Sequence, residues 1–194
     1  MPVPFIDLKR ETLRDLARFQ EAAERVLKSG VYSLGAEVTA FENAYADYLG
    51  VKHVVAVNGG TLALYAVLLA AGIGRGDEVI VPANSFIASA EAIVMTGATP
   101  VFCDVDSQTD LLDEHDAMSR ATPRTKAIMP VHLYGRMMDL SRLTIWARER
   151  GVIIVEDACQ AHGASVAGKM AGTVGDAGCF SFYPTKNLGA LGEG

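Results

Sequence analysis

From residue 51 onward the chain alternates short β-branched runs with helical patterns, and that alternation constrains the fold more than any other feature. The runs fall at 53–57 (HVVAV), 78–82 (EVIVP), 100–105 (PVFCDV), 126–131 (KAIMPV), 152–155 (VIIV) and 177–183 (AGCFSFY). Helical spacing fills the gaps at 61–72, 85–96, 112–121 and 139–150. Crossovers of this length join parallel strands, so the pattern predicts an α/β fold: a mostly parallel sheet with helices on both faces. Upstream, 7–29 reads as one amphipathic helix carrying Leu8, Leu13, Leu16, Phe19, Val26 and Leu27, stopped by Gly30. A second helix, about 36–48, ends at Gly50.

The 194 residues suit one ordinary domain or a large piece of a bigger one. Half of them are hydrophobic and 21% are charged, enough for a sizeable core and too apolar for wholesale disorder. A net charge of −6 with no basic run argues against a nucleic-acid or anionic-membrane surface. Phosphate remains possible, because backbone N–H groups bind it without net positive charge. The longest apolar stretch, Thr61 to Ile73, has 13 residues, against roughly 20 for a membrane span. The N-terminus is charged from Asp7 onward, unlike a secretory leader. Cys103, Cys159 and Cys179, an odd set without a close pair, read as buried thiols of a reducing compartment. A soluble, cytoplasmic protein is expected.

In sheets of this kind ligands bind beyond the carboxyl ends of the strands. Three groups of residues there carry candidate chemistry. Asn58-Gly59-Gly60-Thr61, between a strand and a helix, is either a phosphate cradle at a helix N-terminus or a plain glycine turn with Thr61 as N-cap. Glu156-Asp157 closes the most apolar strand, where a carboxylate either ion-pairs with a protonated heterocyclic nitrogen or caps a turn. Lys186, after CFSFYPT and before LGALGEG, is either a solvated surface amine or one desolvated enough to act as a nucleophile.

Two nucleotide-binding decoys fall away. Gly163-x-x-x-x-Gly168-Lys169 resembles a P-loop, but Met170 replaces the hydroxyl that binds Mg²⁺, and the glycines around it predict a hairpin. The GIGRG run, Gly72 to Gly76, follows a helix rather than a strand and reads as a turn. The sequence has no His-Glu-x-x-His, Cys-x-x-Cys or Gly-x-Ser-x-Gly motif, so metal and serine-hydrolase chemistry find no support in it.

VNGGTLAL, GDEVIVPANSFIASAEAI, VHLYG, EDACQAHGA and FSFYPTKNLGALGEG occur in that order, and together they resemble the DegT/DnrJ/EryC1/StrS aminotransferases. The resemblance runs from FIDLK at residue 5 to the last residue. It implies a fold type I large domain and transfer of an amino group to a keto-sugar, usually nucleotide-linked, with pyridoxal 5′-phosphate (PLP) as cofactor. It further implies that Lys186 forms the Schiff base with PLP and that Asp157 holds the pyridine nitrogen protonated. Phe86 would stack on the ring, Gln160 would bond near its 3′-oxygen, and Gly60, Thr61 and Ser181 would hold the phosphate. His162 lies in the motif without an assigned role. The amino donor in most of the family is glutamate, the kinetics are ping-pong and the working unit is a homodimer. Surface-polysaccharide and amino-sugar antibiotic biosynthesis both fit.

Two departures stand out: Gly59 where the family commonly has Ser, and Arg136 where Gln is frequent. Neither removes a chemical role. A dehydratase branch carries His at the lysine position, so Lys186 favours transamination. A non-catalytic regulatory protein on the same fold is the alternative from another class. Family members are about twice this length. Residues 1–194 therefore read as a single PLP-binding large domain (helical segment 1–50, α/β core 51–194) without the C-terminal small domain. The antiparallel strand expected between 53–57 and 177–183 also falls outside the chain. As a free 194-residue chain, weak folding or poor cofactor retention is expected.

Overall fold

The structure is a computed structural model and describes residues 3–194; Met1 and Pro2 of the expected helical segment lie outside the described residues. Two compact units emerge, one ending at Ala56 and one running from Val57 to Gly194. The first holds α1 (Leu8–Arg14), α2 (Leu16–Ser29) and α3 (Ala36–Leu49). The single helix expected over 7–29 is thus two. Asp15 breaks it with non-helical dihedrals (φ −112°, ψ 15°), its carboxylate taken by Arg14 Nε at 2.8 Å rather than by the helix backbone. Gly30 and Gly50 end α2 and α3 in the left-handed conformation, which glycine adopts without the strain of a Cβ.

The second unit is built on a five-stranded parallel sheet: β1 (Glu78–Pro82), β2 (Thr99–Cys103), β3 (Thr125–Ile128), β4 (Ile153–Asp157) and β7 (Ala177–Cys179), in the order β2-β1-β3-β4-β7. Helices α4 (Gly60–Ala70), α5 (Ile87–Met95), α6 (Glu114–Ser119) and α7 (Ser141–Arg150) flank it. Val79, Ile80, Val81, Ile128 and Val155 have no exposed surface, and Leu68, Ile93 and Leu143 from α4, α5 and α7 are equally dry. This continuous apolar filling is what a sheet covered on both faces requires. Strand order reverses between β1 and β3, the topological switch where such sheets open a crevice at their carboxyl ends.

The expected hairpin at 163–170 forms as β5 (Ser165–Val166) and β6 (Lys169–Met170), turning through Ala167 and Gly168, both at positive φ. The expected strand 53–57 does not form: among the described residues it joins no ladder, and Val55 is 76% exposed. Alternating β-branched residues suit a strand, but a strand exists only where a neighbour satisfies its N–H and C=O groups. The last run also shortens, from 177–183 to Ala177–Cys179, which among the described residues pairs with β4 alone. No helix among the described residues is long and apolar enough to cross a membrane.

Candidate active site

The carboxyl ends of β1, β3, β4 and β7 bring most of the candidate residues together. Asp157, the last residue of β4, is 5% exposed and both its oxygens are occupied. Oδ1 accepts the Cys159 backbone N–H at 3.2 Å, closing a local turn, and Oδ2 accepts the Ser89 hydroxyl at 2.7 Å from α5. Asp157 therefore does cap a turn, yet the turn leaves it at the ligand edge rather than withdrawing it. Its neighbour Glu156 points to the opposite face, as adjacent strand residues must. Completely buried, Glu156 accepts His132 Nε2–H at 2.7 Å and the backbone N–H groups of Gly172 (2.8 Å), Val174 (2.7 Å) and Gly175 (2.6 Å). Burial alone would raise its pKa. The His132 bond and the N–H groups of Gly175 and Gly172 outweigh that and leave the carboxyl below its ordinary range. Met138 N–H donates to His132 Nδ1 at 3.2 Å, so the ring carries its proton on Nε2 and is neutral.

Gly60 opens α4 and is buried against the same edge. A Cβ there would sit 2.7 Å from Cys159 Sγ and 3.0 Å from Ser181 Cβ, so only glycine lets the helix start approach this closely. The N-cap Gly59 supplies no side-chain cap, so among the described residues the first N–H groups of α4 have no capping side chain from it, with half-buried Thr61 in the same turn. Ser181, 7% exposed, accepts the Tyr183 N–H at 3.3 Å and keeps its own proton available. Gly60, the start of α4 and the buried Ser181 hydroxyl therefore lie together.

Lys186 follows a turn closed by its own N–H on the Tyr183 carbonyl (2.8 Å). It lines a cleft of about 270 Å³ with Tyr134, Gly135, Gln160, Thr185 and Asn187. Gln160 and Lys186 thus line one cleft. Tyr134 takes positive φ (58°) beside Gly135 at the cleft rim. Phe86 is the N-cap of α5 and is 67% exposed. His162 is 9% exposed between the Phe180 and Phe182 rings, 5.5 and 5.2 Å away. Burial first, and then the Lys186 charge, push its pKa down, so the ring is held neutral.

Sequence reasoning missed Ser89 and the His132–Glu156 pair. NSFIAS does place Ser85 and Ser89 one helical turn apart, and VHLYG places a histidine just beyond a strand. Neither signal names its partner.

A parallel α/β sheet with a helix start, a buried carboxylate and an amine near its carboxyl edge has the layout of a ligand site. The sequence pattern of the DegT/DnrJ/EryC1/StrS aminotransferase family matches residues 14–194, and the chain belongs to that family. It is 42% identical over 99% of its length to UDP-2-acetamido-2-deoxy-3-oxo-D-glucuronate aminotransferase of Pseudomonas aeruginosa, covering 54% of that protein. Among solved structures it resembles S. venezuelae DesV in complex with a ketimine intermediate (TM-score 0.94, 46% identity, 98% of this chain and 52% of that one). It also resembles NtdA of Bacillus subtilis with bound cofactor PMP (TM-score 0.91, 36% identity, 98% and 43%). The chain spans about half the length of the curated relatives it matches.

Proposed function

We propose that residues 1–194 supply the PLP-binding large domain of an aminotransferase that moves an amino group from glutamate to a nucleotide-linked keto-sugar. The observation that carries this reading is Asp157, a buried carboxylate fixed at both oxygens, on the same sheet edge as Gly60 and Ser181. Those residues fit the cofactor. The first N–H groups of α4, with Gly60, Thr61 and Ser181, would hold its phosphate. Asp157 would pair with its pyridine nitrogen, and a carboxylate there keeps that nitrogen protonated. Phe86 would cover the ring and Gln160 would bond beside the lysine. Bound PLP supplies an electron sink that stabilises negative charge on the adjacent carbon of the amine substrate.

The remaining chemistry falls to Lys186. Its Nζ would hold the cofactor, and its amine would hold and move a proton at the reacting carbon. Lys186 is half-buried and lines the cleft, within reach of a ligand held there. Two half-reactions sharing one site make the kinetics ping-pong. The relatives, named as aminotransferases of a UDP-linked sugar and of dTDP-linked sugars, support the substrate class.

Borohydride reduction of the full-length protein with PLP, followed by peptide mass mapping, tests this. A phosphopyridoxyl adduct at Lys186, lost in Lys186→Ala, and exchange of label from ¹⁵N-glutamate are the expected results. Adducts scattered over several lysines would refute it.

A further inference from the structure

Asp157 is held by more than its own strand. Ser89, 1% exposed, donates from Oγ to Asp157 Oδ2 at 2.7 Å, a contact between residues 68 apart in sequence. Ser85 Oγ lies 2.6 Å from Ser89 Oγ. Ser89 has one proton, and it is committed to the carboxylate, so its oxygen accepts and Ser85 donates. The other acceptor near Ser85, the Phe86 carbonyl at 3.3 Å, is more distant.

We infer that Ser89 is a positioning residue for Asp157 and that Ser85 supports it as the outer member of a two-hydroxyl relay. The inference rests on the reading of Asp157 as the partner of the cofactor's ring nitrogen. A carboxylate at a strand end can rotate about two bonds. Cys159 N–H restrains Oδ1 through the local turn, and Ser89 restrains Oδ2 from a different element, so the carboxylate plane is fixed before any ligand arrives. Ser89 also sits in the first turn of the helix that Phe86 caps. One hydrogen bond therefore sets both the orientation of the group facing the ring nitrogen and the position of the residue facing the ring plane.

The test uses the full-length protein with PLP and compares wild type, Ser89→Ala and Ser85→Ala. The readouts are the PLP dissociation constant and the absorption maximum of bound PLP, which reports the protonation of its ring. Ser89→Ala is expected to weaken PLP binding about tenfold, the factor that goes with one hydrogen bond to a charged group, and to shift the absorption maximum. Ser85→Ala is expected to change both in the same direction, binding by about threefold. A Ser89→Ala protein that binds and absorbs like wild type overturns the inference. So does one that loses affinity with an unmoved absorption maximum, because a bond that merely staples α5 to β4 would do that. Should Ser89→Ala fail to fold, Ser85→Ala decides by the same two readouts. Wild-type protein that binds no PLP would defeat the underlying reading and this inference with it; binding that ignores both serines defeats this inference alone.

Discussion

Replacing Glu156 by Gln keeps the shape of the most deeply buried carboxylate and removes its charge. In the native protein Oε2 accepts from His132 Nε2 and Gly172 N, and Oε1 accepts from Val174 N and Gly175 N. Whichever end the new amide nitrogen takes, it turns a donor toward two donors. The His132 ring cannot rescue its end by changing tautomer, because Nδ1 already accepts from Met138 N–H. Each buried donor left unpaired costs about 1–3 kcal/mol, so the pair costs about 2–6 kcal/mol, reduced by relief from burying a charge. A net loss near 3 kcal/mol corresponds to a fall in Tm of about 6–12 °C for a unit of this size. Thermal unfolding followed by circular dichroism at pH 7 measures it. The sign of the pH dependence follows from the depressed pKa of Glu156. Its contribution is present above the ordinary value of 4.5 and disappears as pH falls through the lower folded value. The gap between wild type and variant must therefore close in acid. A variant within about 1 kcal/mol of wild type at pH 7, or a gap that persists unchanged to pH 3, would refute the reasoning.

Gly60→Ala is expected to cost about 1–3 kcal/mol by overpacking, and Cys159→Ala in the same chain should recover part of it, read as Tm in the double-variant cycle. Cys103 and Cys179 are pushed up to about 12, chiefly by burial and next by Asp116 and Asp157 respectively. At pH 8 only about one in ten thousand of each is thiolate, so iodoacetamide with mass detection should label them after unfolding and hardly before. Glu78 is held below its usual range by the Thr122 hydroxyl and then by Arg124. Glu78→Gln should therefore flatten the loss of stability as pH falls through the carboxylate range, measured by urea midpoints.

Alternation of strand and helix was legible because each period is local: β1 matches the 78–82 run residue for residue, and α3 and α7 fall within two residues of their patterns. What depends on distant partners was not. The 53–57 run has the composition of a strand and lacks a ladder, and nothing in HVVAV says whether a neighbour is present. Asp157 could be singled out because a polar residue at the end of an apolar strand is costly unless used. Ser89 could not, since a serine in an apolar helix resembles any other small residue until the chain 68 positions later is folded against it. Glu156 and Asp157 looked like one acidic pair, and pleating separates them. A sheet face is a property of register, which a dipeptide does not reveal.

The two adjacent carboxylates at the end of β4 also govern how the gene can change. A deletion or insertion inside Ile153–Asp157 would exchange them, aiming one into the glycine-rich turn at 172–175 and the other at the ligand edge with the wrong reach. Both the scaffold bond and the site would fail in a single step, with no half-functional intermediate. Length variation among natural or laboratory descendants should therefore accumulate at places such as the Ala167-Gly168 hairpin tip and be absent from β4. A library that randomises β4 by substitution can be searched; one that shifts its frame of alternation is empty from the start.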